Sequence, residues 1–101
     1  MAIAEVTVVP IGTASTSLSS YVAELQRVLQ KQEGISYTLT PMSTIIEAPI
    51  ARLWEVIALL HEAPFLADAK RVSTSIKIDD RRDKESTAAQ KLMSVQQKLN
   101  G

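Results

Sequence analysis

The spacing of apolar residues along this chain switches repeatedly between a period of two and a period of three to four. That succession restricts the fold more than any single motif does. Residues 3–9 alternate, with Ala4, Val6 and Val8 on one side and Ile3, Glu5, Thr7 and Val9 on the other, which predicts a strand. Pro10 and Gly12 punctuate its end. From about Ser17 to Gln32 the period lengthens. Leu18, Val22, Leu25, Val28 and Leu29 share a helical face, and Gly34 supplies the stop. Residues 35–40 alternate again, with Tyr37 and Leu39 apolar. After a turn at Pro41 and Met42, residues 43–48 form a β-branched returning strand. Pro49 suits the first turn of a second helix, whose apolar face carries Ile50, Leu53, Trp54, Ile57, Leu60 and His61. Pro64 is expected to end or kink that helix. Residues 71–79 read as a fourth strand, with Val72, Thr74, Ile76 and Ile78 on one face. A last helix follows, capped by Asp83 or Ser86, with Ala89, Leu92, Val95, Gln96 and Leu99 on its face.

The order β-α-β-β-α-β, with right-handed crossovers, predicts an antiparallel sheet with both helices on one face. This is an α+β, ferredoxin-like sandwich with an additional C-terminal helix. Its first and third strands are central. The other face of the sheet then carries Glu5, Thr7, Ser36, Thr38, Ser73, Ser75 and Lys77. It can be solvated, paired wetly with another subunit, or arranged around a polar ligand. The C-terminal helix needs cover for its apolar stripe, and a neighbouring subunit is an economical one for so small a domain.

Length and composition narrow the classes of function. The 101 residues make one domain, 1–101. Eleven Lys and Arg balance eleven Asp and Glu, which argues against a nucleic-acid or membrane-surface role. The strands read as central contain no aromatic residue for base stacking, so RNA binding is not expected. With no cysteine and one histidine, thiolate chemistry is excluded and no metal site is expected. His61 ends an apolar helical face and reads as structural. No nucleophile elbow, Walker A or Gly-x-Gly-x-x-Gly pattern occurs, so no catalytic residues are expected. The N-terminus lacks the pattern of a signal peptide and no window is apolar enough to span a membrane, which predicts a cytoplasmic protein.

Three segments stand out as polar chemistry. Residues 12–20 place six hydroxyls around a strand-to-helix junction. They can cradle a small ligand with the help of unpaired helix N–H groups, or simply cap the helix. Glu47 lies in an otherwise apolar strand and needs a partner, either Lys77 or an arginine, or the amino group or cation of a ligand. The run Lys77-Ile78-Asp79-Asp80-Arg81-Arg82 is a solvated face or subunit contact, or the rim of a charged pocket. Trp54 and Phe65 read as core or interface. Tyr21 is the better stacking candidate, though helix packing explains it as well.

These segments coincide with a family. Gly12-Thr13, Thr16-Ser17-Leu18-Ser19 and Tyr21-Val22, then Met42-Ser43-Thr44-Ile45-Ile46-Glu47, then Lys77 to Asp83, are similar in order and content to the motifs of the thiamine-binding protein family. The resemblance implies a ferredoxin-like fold assembled into homodimers and commonly homotetramers. It also implies binding of thiamine or its hydroxymethylpyrimidine moiety as a ligand rather than a cofactor, without established catalysis. Carried onto this sequence, it gives Thr13, Ser17, Ser19, Thr44 and Glu47 as pocket residues, with Lys77 and Asp79 beside them. An aminopyrimidine edge suits Glu and hydroxyl partners, and a thiazolium charge suits a carboxylate. The expected pocket joins Glu47 to the Thr13–Ser19 junction. The alternative is an oligomeric regulatory module with no small-molecule ligand.

Overall fold

The computed structural model describes residues 1–14, 18–84 and 87–100. The elements run β1 (Ala2–Ile11), α1 (Ser19–Gln30), β2 (Ser36–Leu39), β3 (Thr44–Ala48), α2 (Ile50–Leu66), β4 (Arg71–Asp80) and α3 (Ala88–Asn100). The four strands form one antiparallel sheet in the order β2-β3-β1-β4, so β1 and β3 are central as expected. α1 and α2 pack against each other on one face, and α3 follows as the additional helix.

The alternation in β1 explains the core. Ala2, Ala4, Val6 and Val8 are buried beneath the helices, joined by Ile46 and Ala48 of β3. Leu53, Val56, Ile57, Leu60 and Ala63 of α2, with Leu25 and Leu29 of α1, complete the cluster. Trp54 departs from the expected helix face: it is 52% exposed, and Val56 is buried instead.

Several boundaries differ from those the sequence predicts. β1 extends past Val9 to Ile11 and takes Pro10 into the strand. β3 pairs with β1 only as far as Val6, so from Thr7 onward β4 is the sole strand beside β1, the edge setting in which a proline is tolerated. α2 continues two residues beyond Pro64 rather than stopping there. α1 starts at Ser19, with Leu18 at the cap position and no side-chain cap bond. At α3 the expected cap Ser86 lies outside the described residues, and Asp83 pairs with Arg81 instead. Thr87 and Gln90 form a reciprocal capping box: Gln90 N–H donates to Thr87 Oγ1 at 3.1 Å, and Thr87 N–H donates to Gln90 Oε1 at 2.9 Å.

Candidate functional site

The strand register fixes what the outer face presents. Cross-strand pairing aligns Ser36, Glu47, Ile3 and Asp79 in one row, and Thr38, Ile45, Glu5 and Lys77 in the next. Thr7 with Ser75, Val9 with Ser73 and Ile11 with Arg71 continue the face along β1 and β4. The hydroxyl-rich surface expected from the sequence is therefore interrupted by Ile3 and Ile45, both half-buried. Ile3 makes an apolar floor between Glu47 on β3 and Asp79 on β4, with Ile45 beside it in the next row. Strands lie about 4.8 Å apart, which sets the backbones at these two positions roughly 10 Å from each other. A flat heteroaromatic ring can lie on this floor with carboxylates at either edge.

The first turn of α3 rests on the same row. Ala88 N–H donates to Glu47 Oε1 at 2.7 Å, and Lys91 Nζ forms an ion pair with Asp79 Oδ2. Glu47 thus finds a partner that neither sequence reading supplied. Lys77 stands two strands from it, directly opposite Glu5, and Glu47 makes no ion pair among the described residues. Glu5 in turn accepts a hydrogen bond from Ser43 Oγ at 3.3 Å.

Thr44 faces the other way. It is buried under α1, where its Oγ1 accepts a hydrogen bond from Gln26 Nε2 at 3.2 Å. A separate small hollow of about 120 Å³ opens there between Val6, Val22, Leu25, Thr40 and Thr44. Thr40 Oγ1 organises the hairpin tip by accepting the Ser43 N–H at 3.0 Å and donating to the Ser43 carbonyl at 2.9 Å. Thr13 and Ser19 belong to the β1–α1 junction, beyond the end of β1 at which Ile11 pairs with Arg71. Ile3, beside Glu47, is eight residues back along β1, roughly 26 Å at a normal strand rise. Ser17 lies outside the described residues. Within one chain, then, Glu47, Asp79 and Lys77 share the outer face, Thr44 lies on the inner one, and Thr13 and Ser19 stand apart from Glu47. Strand parity keeps Thr44, and strand length keeps Thr13 and Ser19, off the Glu47 row within a single chain.

Other sequence candidates have defined places. His61 Nδ1 and Thr74 Oγ1 share a hydrogen bond of 2.7 Å that ties α2 to β4, and Phe65 meets the His61 ring edge-on. Tyr21 lines a groove of about 480 Å³ with Glu24, Arg27 and Leu66, between α1 and the end of α2. At the end of β4, hydrogen bonds from Arg82 hold the Asp80 carboxyl below its usual range, and those from Arg81 do the same for Asp83. Sequence reasoning misses Ile3, Ile45 and Lys91 as site residues. The first two were legible as outward positions of their strands, and Lys91 as the cationic flank of the last helix's apolar stripe.

Comparison with known proteins agrees with this architecture. Residues 4–96 match the family model for thiamine-binding proteins. The Bacillus subtilis protein YqgV is 51% identical over 98% of both chains, and a Staphylococcus xylosus relative is 46% identical over 99% of this chain and 96% of its own. The crystal structure of a Methanocaldococcus protein, MJ1052, superposes with a TM-score of 0.83 at 32% identity, covering 94% of this chain and 95% of that one. The three ordered motifs, the sheet topology and a match across nearly the whole length lead to one conclusion: the chain belongs to the thiamine-binding protein family.

Proposed function

We propose that this protein binds thiamine or its hydroxymethylpyrimidine moiety without transforming it, as a cytoplasmic carrier, buffer or salvage accessory. The observation that carries this reading is the family match over residues 4–96. The outer sheet face supports it chemically. Ile3 and Ile45 offer an apolar bed for a flat ring, Glu47 accepts from an exocyclic amine, and Asp79 and Glu5 favour a cation. In this reading thiamine is cargo rather than cofactor, no residue acts as nucleophile or base, and no metal is required. Neither nucleic acid nor a membrane is a partner; among the described residues no helix is long and apolar enough to cross one.

Self-association into a homodimer or homotetramer belongs to the same proposal. α3 buries none of its residues, and Leu92, Val95 and Leu99 lie exposed on one stripe. An assembly can also bring one copy's Thr13–Ser19 junction towards another's Glu47, which a single chain keeps apart. One observation favours the second reading, a regulatory module with no small ligand: α3 already engages both Glu47 and Asp79.

Calorimetric titration of thiamine into wild type and Glu47→Gln, with melts to confirm folding, separates the two. Hydrogen bonds to charged groups contribute about 1.5–3 kcal/mol, so Glu47→Gln is expected to weaken binding by about tenfold or more. Equal affinities would return Glu47 to the role of holding α3. Absence of binding by the wild type and by variants with α3 released would select the module.

A further inference from the structure

α3 makes an unusual pair of attachments. Its residues are all at least partly exposed, its apolar stripe is left uncovered, and it is held by polar contacts at its first turn. Ala88 N–H sits on the Glu47 carboxylate and the Lys91 ammonium on that of Asp79. A neutral N–H donor and a cation thus occupy two acidic groups set across the Ile3 floor. An aminopyrimidine joined to a cationic ring would bring the same two kinds of group.

We propose that α3 is a tethered competitor for the sheet-face site. Its Ala88 N–H and Lys91 ammonium take the places of a ligand's amine and cation on Glu47 and Asp79, so that ligand entry displaces the first turn of the helix. The proposal rests on the thiamine-binding reading and assigns the regulation of that same site. Few contacts oppose the displacement. The capping box of Thr87 and Gln90 is internal to α3, so the helix can move with its own N-terminus intact. Bound and free forms then differ in where the Leu92–Leu99 stripe points, which couples occupancy to whatever surface that stripe covers.

The test titrates thiamine into wild type, Lys91→Met and Lys98→Met, and follows hydrogen exchange of the α3 amides with and without saturating thiamine. Lys98 removes the same charge two turns further on and has no ion pair among the described residues. Lys91→Met is expected to tighten binding by about two- to fivefold, the range of an exposed ion pair, with Lys98→Met unchanged. Thiamine should speed exchange at Ala88 in the wild type, whose N–H loses its Glu47 acceptor, while Gln90 and Lys91 keep their acceptors within the helix. Binding by Lys91→Met alone would be the strongest support. Equal affinities for wild type and Lys91→Met, with α3 exchange unaltered by thiamine, would overturn the competitor and leave the binding reading standing. Failure of every protein to bind would overturn both.

Discussion

Thr44 and Glu47 are three residues apart on β3, and an odd separation on a strand sends two side chains to opposite faces. Both lie in one motif, yet they sit on opposite sides of the sheet. That parity was legible in the sequence, as was the apolar setting of Glu47. Its partner was not, because the Ala88 N–H is a backbone group forty-one residues away whose position depends on how α3 folds back. The Thr87–Gln90 box was also legible as Thr-x-x-Gln, but Asp83 and Ser86 offered themselves as caps first. Thr87→Ala should cost about 1 kcal/mol of local helix stability, seen as faster amide exchange in the first turn of α3. By contrast, Leu53 is fully buried at the centre of the α2–sheet contact. Leu53→Ala should destabilise the whole domain by about 2–5 kcal/mol in urea unfolding. Asp80 and Asp83 carry lowered carboxyl pKa values in the folded chain. Their contribution is full above the ordinary aspartate value near ~4 and is lost as pH falls through the lowered values. Acidification should therefore loosen residues 80–84, read by amide exchange, while the exposed position of both groups leaves the melting midpoint little changed.

Among the elements, β1 and α3 reward the sequence reading in different degrees. The two-residue period of β1 located its buried face correctly, because burial on one side of a sheet imposes that alternation directly. Its length escaped prediction, since Pro10 reads as a stop until the register shows that β3 has already ended. α2 was placed well, but its rotation was not: Trp54 is exposed and Val56 buried, a difference set by which stripe meets the small Ala2, Ala4 and Ala48 side chains below. In α3, Ala88, Leu92, Val95 and Leu99 follow a four-three-four spacing, a seam with Lys91 and Lys98 along one flank. If that seam holds the proposed oligomer together, Leu92→Ser with Leu99→Ser should lower the mass seen by light scattering towards the 11.0 kDa chain. The far-ultraviolet spectrum and melting of the core should persist, because neither residue is buried within it. An unchanged mass would move the interface elsewhere.

At the scale of the molecule, charge and shape are both uneven. Residues 81–101 hold five Lys and Arg against two Asp and Glu, while residues 1–80 hold six against nine. The neutral total thus divides into a body of −3 and a C-terminal segment of +3. The radius of gyration is 15.2 Å, above the ~13 Å of a compact domain of this length, and the extents are 50 × 29 × 20 Å. A positive end and a negative body on an elongated particle attract one another between copies, so self-association should weaken as salt is raised. Sedimentation at low and high salt checks this, and salt-independent association would leave the apolar seam to act alone. The early end of β3 has a different consequence. Because the hairpin stops opposite Val6, its reach sets the size of the hollow beside Thr44. Lengthening both arms by two residues would add rungs beside Thr7 and Val8 and close that space, and shortening them would widen it. Each change preserves the parity of every side chain in the sheet. Hairpin length is thus a dial by which descendants of this scaffold could resize that hollow through insertion or deletion, without replacing a single core residue.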